Sequence, residues 1–366
     1  MNTLISISTP SATIARSELE EHRVRTLPIL VISPHNQCDC HCVMCDIWKI
    51  REAEEFSVAD LERQITAFRE LGVSWVVFTG GEPQKNRHLP ALAKILRAEG
   101  IRITLLTAGL LLGSQAQEIA DSVDDVIVSL DGPPELHNRI RRVAHAFEKL
   151  ADGVTQLRHL RPDISIKARC TIQKLNRRFL CATVDSALSM GLNSISFLAA
   201  DVSSTAFNRP STWSLERQEQ VALGPSEVEE LEAEIARLVQ DHPREFDSGF
   251  IAESPQKLHH IARHFRASLG QVEAISPRCN APWTSAVIEA GGDVRPCFFH
   301  PPLGNTRVSP LNEILNSTRA LQFRANLDIA SDPICRHCVC SLYVPNPESM
   351  SRTVTSTIQA VHGEGD

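Results

Sequence analysis

The run Cys38-Asp39-Cys40-His41-Cys42-Val43-Met44-Cys45, continued by Asp46-Ile47-Trp48-Lys49, decides how the rest of the chain is read. Cys38, Cys42 and Cys45 have the spacing C-x3-C-x2-C. Thiolates are soft ligands that favour iron–sulfur, zinc or cuprous centres. Three thiols on one short loop can hold three corners of a four-iron cluster and leave the fourth iron open to a small molecule. A structural zinc knuckle is the alternative for the run taken alone. Cys40 is an additional thiol inside it and reads as a bystander.

Outward from that loop, strands and helices alternate. Leu27-Pro28-Ile29-Leu30-Val31-Ile32-Ser33 is a short apolar run, a buried strand that delivers the loop. Ser57 and Asp60 form an S-x-x-[DE] helix start, and Val58, Leu61, Ile65, Phe68 and Leu71 recur at helical spacing up to Gly72. Trp75-Val76-Val77-Phe78-Thr79 is a second strand, stopped by Gly80-Gly81. Strands follow at 101–106, 126–130, 164–171 and 194–198, with helices near 90–98, 115–122, 144–160 and 178–190 between them. Such alternation predicts a parallel sheet with crossover helices. Residues 201–224 read as a polar connector. The stretch 226–240 reads as an amphipathic acidic helix with a solvated Glu-rich side, and 254–270 as a further helix. From Cys279 the texture is short and irregular, and the tail after Arg352 is polar and reads as mobile.

Composition narrows the class. A chain of 366 residues exceeds the common single-domain size, so a large α/β domain with a smaller one appended is expected. The net charge of -7 argues against general nucleic-acid binding, which leaves a basic footprint. No apolar run is long enough to span a bilayer, and residues 1–25 show no signal-peptide core, so a cytoplasmic location is expected. Eleven cysteines in such a chain point to metal or redox chemistry rather than disulfides.

A second motif sharpens the first. Gly80-Gly81-Glu82-Pro83 directly follows the second strand, where α/β folds place ligands and where glycines permit close approach. With the cysteine loop one strand earlier, the pair of motifs resembles the radical S-adenosylmethionine (radical SAM) superfamily. The resemblance implies a partial (β/α)6 TIM-like barrel over 27–200. Cys38, Cys42 and Cys45 would hold a SAM-binding [4Fe-4S] cluster, with Gly80, Gly81, Glu82 and Pro83 shaping the methionyl pocket. The third strand ends at Thr107-Ala108-Gly109 where many relatives have Thr-Asn-Gly, which puts any ribose contact there in doubt. Ser129-Leu130-Asp131-Gly132-Pro133 and His137-Asn138-Arg139-Ile140-Arg141 resemble the SPASM/Twitch branch of the family. There the serine, here Ser129, lies near the SAM ribose, and the arginine, here Arg141, faces its carboxylate. Asp131 reads as a turn residue. Strand alternation puts Lys167, Arg169 and Thr171 on one face and Cys170 on the other, in the core with the helical Cys181. Arg169 is a candidate acid/base group or substrate anchor.

The late thiols form a second constellation. Cys279 and Cys297 precede the pair Cys335/Cys338, and Gly292 stands before Cys297 as G-x4-C. Leu303-Gly304-Asn305, then Leu311, Ile314, Asn316 and Ser317, resemble the corresponding SPASM/Twitch segment. Four thiolates suffice for one auxiliary [4Fe-4S] cluster, with Cys340 a spare; the run C-x2-C-x5-C-x3-C of a complete SPASM domain is missing. A four-cysteine zinc site is the alternative. The expected division is a lead-in at 1–26, the barrel at 27–200, a helical connector at 201–275, a cysteine-rich domain at 276–345 and a tail at 346–366.

The implied chemistry is reductive cleavage of SAM to a 5′-deoxyadenosyl radical, an oxidoreductase-type reaction drawing on a flavodoxin- or ferredoxin-like reductant. The favoured substrate is a small molecule such as a sugar alcohol or aminocyclitol. Peptide maturation is the runner-up. A molybdenum-cofactor type cyclase is disfavoured by the tail His362-Gly363-Glu364-Gly365-Asp366, which lacks a Gly-Gly end. A non-catalytic zinc or iron–sulfur module is the reading from a different class.

Overall fold

The structure, a computed structural model, describes residues 16–347; the first part of the expected lead-in and nearly all of the tail lie outside them. Its spine is one sheet of nine strands in the order β6-β5-β4-β3-β2-β1-β7-β8-β9. The strands are β1 (Ile29–His35), β2 (Trp75–Gly80), β3 (Arg102–Thr107), β4 (Asp125–Ser129), β5 (Ser165–Ile172), β6 (Ser194–Ala199), β7 (Ser285–Ile288), β8 (Asp293–Arg295) and β9 (Gly304–Asn305). The first six are parallel neighbours in sequence order and alternate with helices, giving the partial (β/α)6 barrel.

Strand alternation sorts the side chains. On β5, Ile166, Ala168, Cys170 and Ile172 are fully buried beneath the helices. Ser165, Lys167, Arg169 and Thr171 occupy the other face and stay half-buried. The helical layer supplies matching apolar residues: Leu89, Leu92 and Leu96 from the helix Leu89–Ala98, and Leu150, Val154 and Leu157 from Ala146–Leu160. The Ser57 start is a full capping box, in which Ser57 Oγ accepts from Asp60 N and the Asp60 carboxylate accepts from Ser57 N. The helix it opens stops at Glu62 and resumes over Ile65–Glu70, so the expected single helix is two.

Two expectations change. The helix Pro134–Arg141 falls in the motif stretch, which carries too few apolar positions to show a helical period. The acidic helix Pro225–Asp241 buries Val228, Leu231, Ile235 and Leu238 as its stripe implies, but its Glu-rich side is engaged rather than merely solvated. Glu227 pairs with Lys174 at 3.2 Å, Glu230 with Arg177 at 2.5 Å and Glu232 with Arg266 at 2.6 Å, while buried Glu234 accepts from Cys181 N at 3.0 Å.

The C-terminal segment enters the same sheet. β7 pairs in parallel with β1, register Ile29–Ser285 through Ile32–Ile288, and β8 and β9 follow antiparallel. Gly292 turns the β7–β8 hairpin at φ 90, a conformation open to glycine. Side chains then staple the segment to the barrel. Gln64 donates to Thr306 O and accepts from Leu311 N, both at 2.8 Å, and Asn316 exchanges two hydrogen bonds with the backbone of Val24. Among the described residues no helix is long and apolar enough to cross a membrane.

Candidate functional site

The loop bearing the first four thiols leaves β1 at His35 and is tied down along its length. Gly81 N donates to His35 O at 3.1 Å and Glu82 N to Gln37 O at 2.7 Å. A Cβ on residue 81 would lie 2.1 Å from Gln37 O. The close approach that the second glycine permits is therefore that of the loop's own backbone. On the far side, His41 N donates to Arg141 O at 3.0 Å and Val43 N to Ile140 O at 3.1 Å. The end of the helix Pro134–Arg141 thus receives the loop through its unpaired terminal carbonyls.

Cys40 lies between the other thiols of the loop. Its buried thiol hydrogen-bonds to both Cys38 and Cys42, which raises its pKa. The same contact with Cys40 lowers Cys42 to about 7, aided by the Arg141 guanidinium. Arg141 Nη1 lies 3.6 Å from Cys42 Sγ and Nη2 2.6 Å from Asp131 Oδ2. Burial opposes both charges of this pair, and their attraction keeps the guanidinium protonated. Arg141 Nε is buried with no hydrogen-bond partner among the described residues. Burial pushes the Cys45 thiol up to about 12. Asp131 ties β4's end to its neighbours: Oδ1 accepts from Thr171 N at 2.9 Å, and its own N–H donates to His137 Nδ1 at 3.2 Å.

The Glu82 side chain turns inward. At 1 % exposure it accepts from Thr107 Oγ1 at 2.8 Å, Ala108 N at 2.9 Å and Gln84 N at 3.2 Å. Burial raises its carboxyl to about 7 against the pull of those donors. Pro83 starts the short turn Pro83–Lys85, and Lys85 pairs with Asp39 of the thiol loop at 2.6 Å. Ser129, Arg169 and Ser196 share one row across β4, β5 and β6, and Arg169 Nε donates to Ser196 Oγ at 3.3 Å. The charge of Arg169 reaches Glu253 and the thiol of Cys340.

The late cysteines converge on one apolar pocket. Cys279, Cys297, Cys335, Cys338 and Cys340 all line it, with walls that include Pro277, Phe299 and Ile334. Cys340, a spare by spacing, stands with the other four. Burial raises Cys297 to about 11 and Cys335 to about 12, as expected for thiols in an apolar setting. His300, which no sequence pattern singled out, is buried with Nε2 3.4 Å from Cys335 Sγ. Both donor sets fit iron–sulfur clusters by their chemistry: several thiols and few competing oxygen ligands.

Comparison with known proteins accords with this arrangement. A Radical SAM superfamily profile matches residues 32–173, and an iron–sulfur cluster-binding SPASM profile matches 279–339. Residues 32–173 are a radical SAM domain. The chain's C-terminal part is a SPASM-type domain, and the family brings SAM, a [4Fe-4S] cluster and auxiliary iron–sulfur centres to these two regions. Fe-coproporphyrin III synthase of Methanosarcina barkeri is 29% identical over 162 residues, 43% of this chain and 40% of that protein. A GTP 3',8-cyclase of Bradyrhizobium diazoefficiens is 31% identical over 144 residues, 37% of this chain and 42% of that protein. The chain therefore spans less than half the length of these curated relatives. Streptococcus suis SuiB bound to S-adenosylmethionine superposes with a TM-score of 0.61 at 15% identity, over 92% of this chain and 80% of that one. Native anSMEcpe with bound AdoMet and Cp18Cys peptide gives 0.60 at 18% identity, over 85% and 87%. These two likenesses concern the fold.

Proposed function

We propose that this radical SAM protein abstracts a hydrogen atom from a hydroxyl-rich small molecule, such as a sugar alcohol or aminocyclitol, with an oxidation as the net outcome. The observation that carries the reading is the row Ser129–Arg169–Ser196 on the inner barrel face, whose arginine is in electrostatic reach of the second thiol pocket. Cys38, Cys42 and Cys45 would hold the SAM-binding cluster, and four thiols of the second pocket, drawn from Cys279, Cys297, Cys335, Cys338 and Cys340, one auxiliary [4Fe-4S] cluster. Bound there, the cofactors supply the reductive cleavage that yields a 5′-deoxyadenosyl radical, with electrons from a flavodoxin- or ferredoxin-like protein.

The chain's own residues orient and exclude. Arg141 keeps Nε available for an acceptor such as the SAM carboxylate, and Asp131 fixes its position. Glu82 uses its carboxylate to join β2 to the end of β3, leaving the backbone of Gly80–Pro83 and the hydroxyl of Ser129 to meet SAM. Arg169 offers donors to substrate oxygens. Closure of the barrel by the cysteine-rich segment would keep water from a reactive intermediate.

Peptide maturation is the second reading, favoured by the likeness over 85% or more of the chain to proteins whose structures hold peptides. The test is deuterium tracing from labelled candidate substrates into 5′-deoxyadenosine with the anaerobically reconstituted chain. Transfer from a polyol or aminocyclitol supports the first reading, and transfer from a peptide alone replaces it with the second. Arg169→Met should raise the KM of the true substrate while leaving substrate-free SAM cleavage intact; an unchanged KM would remove Arg169 from the site.

A further inference from the structure

The connector after β6 does more than join two parts of the chain. Trp213, only 9 % exposed, donates its indole N–H to Asp46 Oδ2 at 2.8 Å, and Asp46 directly follows Cys45. Two guanidinium groups lie over that indole, Arg209 at 3.9 Å and Arg217 at 4.4 Å from the ring centroid. Both arginines also reach the thiol loop's backbone. Arg209 Nη2 donates to Met44 O at 3.2 Å, Arg217 Nη2 donates to Val43 O, and Asn208 Nδ2 donates to Asp46 O at 3.2 Å. Arg209 is itself fixed by Asp201, with Nη1 2.6 Å from Oδ2 and Nη2 2.8 Å from the carbonyl.

Val43 O and Met44 O belong to no helix or strand and have side-chain donors, while Asp46 O also accepts from Lys49 N at 3.0 Å at the start of the turn Ile47–Lys49. The connector satisfies three of four in succession, and Trp48 takes the fourth by donating to Cys45 O at 2.9 Å. At its other end the segment is strained. Phe207 and Asn208 are consecutive non-glycine residues at φ 59 and 63, a conformation that persists where the surroundings over-determine it. The strain places the Phe207 ring edge-on to Phe299, centroids 6.3 Å apart, and Phe299 lines the second thiol pocket two residues after Cys297.

We propose that residues 207–217 form a clamp that positions the loop carrying Cys42 and Cys45 and ties it to the second thiol pocket, with Trp213 as its central positioning residue. The proposal rests on the radical SAM reading for its purpose, but its contacts are independent of any bound group. An aromatic ring stacked against two cations is well suited to hold a loop by its backbone. Its acceptors are the carbonyls nearest the third cysteine, so loosening it displaces a cluster ligand rather than a remote surface.

Hydrogen exchange on the full chain, first without and then with reconstituted clusters, tests this. In the cluster-free chain, Trp213→Phe keeps a ring for the arginines but removes the N–H to Asp46, and exchange across 43–49 should rise about tenfold, the equivalent of roughly 1.4 kcal/mol. Phe207→Ala should raise exchange over the same residues through the tie to Phe299. In the reconstituted chain, Trp213→Phe should retain its iron yet alter the change that SAM makes in the electron paramagnetic resonance spectrum of the reduced cluster. Wild-type protection across 43–49 in Trp213→Phe would overturn the clamp, and wild-type protection in Phe207→Ala would overturn its tie to the second pocket. A wild-type chain that fails to cleave SAM would instead sink the functional reading, leaving the exchange result to stand by itself.

Discussion

Gly81→Ala is the most demanding test of how the first thiol loop is held. The added Cβ would stand 2.1 Å from Gln37 O, 2.5 Å from Gln37 C and 2.8 Å from Asn36 C, all backbone atoms that no rotamer change can move. Reaching an ordinary contact of about 3.5 Å requires the loop to retreat by more than about 1 Å. That retreat pulls Gln37 O away from Glu82 N, now 2.7 Å distant, one residue before Cys38. Overpacking of this kind costs about 1–3 kcal/mol and the lost hydrogen bond about 1 kcal/mol, so a destabilisation of about 2–4 kcal/mol is expected. Urea unfolding of the cluster-free chain measures it, and iron and sulfide counts after anaerobic reconstitution report on the loop. Gly224→Ala, whose Cβ would meet only Glu227 Oε2 at 3.4 Å, is the control and should cost under about 1 kcal/mol. Wild-type unfolding and a full iron count in Gly81→Ala would refute the reasoning, because they would require the backbone contact to be loose.

Three further outcomes are expected. Asp131→Asn strands the buried Arg141 guanidinium and should destabilise by about 3–5 kcal/mol in urea unfolding, with the double variant Asp131→Asn/Arg141→Met recovering part of that; additivity of the two single effects would deny their coupling. His137, fully buried, has its pKa lowered from 6.5 to about 3 by burial, so the unfolded chain binds the extra proton first and stability falls with pH below about 6.5. This amounts to about 2 kcal/mol by pH 5, and His137→Asn, which keeps an acceptor near the place of Nδ1 without titrating, should flatten that part of the urea-midpoint profile. Cys335→Ala should halve the iron bound per chain and stop substrate turnover while sparing some unproductive SAM cleavage, whereas Cys42→Ala should abolish cleavage; sustained turnover in Cys335→Ala would contradict the auxiliary role.

The barrel was legible in the sequence because its strands are short β-branched runs, such as Trp75–Thr79, bounded by glycine and separated by periodic helices. The Ser57 cap could be read because its reciprocal bonds are local. What could not be read depends on distant partners. β7 is only Ser-Ala-Val-Ile, and its register is set by β1, more than two hundred residues earlier. The thiol loop was evident from spacing, yet spacing says nothing of the Cys40 thiol meeting those of Cys38 and Cys42, or of which five cysteines meet in one pocket. Arg209, Trp213 and Arg217 stand in a stretch whose composition reads as a polar connector, and only the fold brings them to Val43–Asp46.

The parallel pairing of β7 with β1 constrains any attempt to shorten the protein. A fragment ending before Cys279 would strip β1 of one neighbour and bare a row of unpaired amides and carbonyls along Ile29–Ile32, the very strand that leads into the first cysteines. Exposed strand edges recruit other chains. Such a fragment should self-associate through its β1 border rather than persist as a smaller working barrel, so sedimentation of the truncated chain would report on how the two thiol sites are built into one sheet.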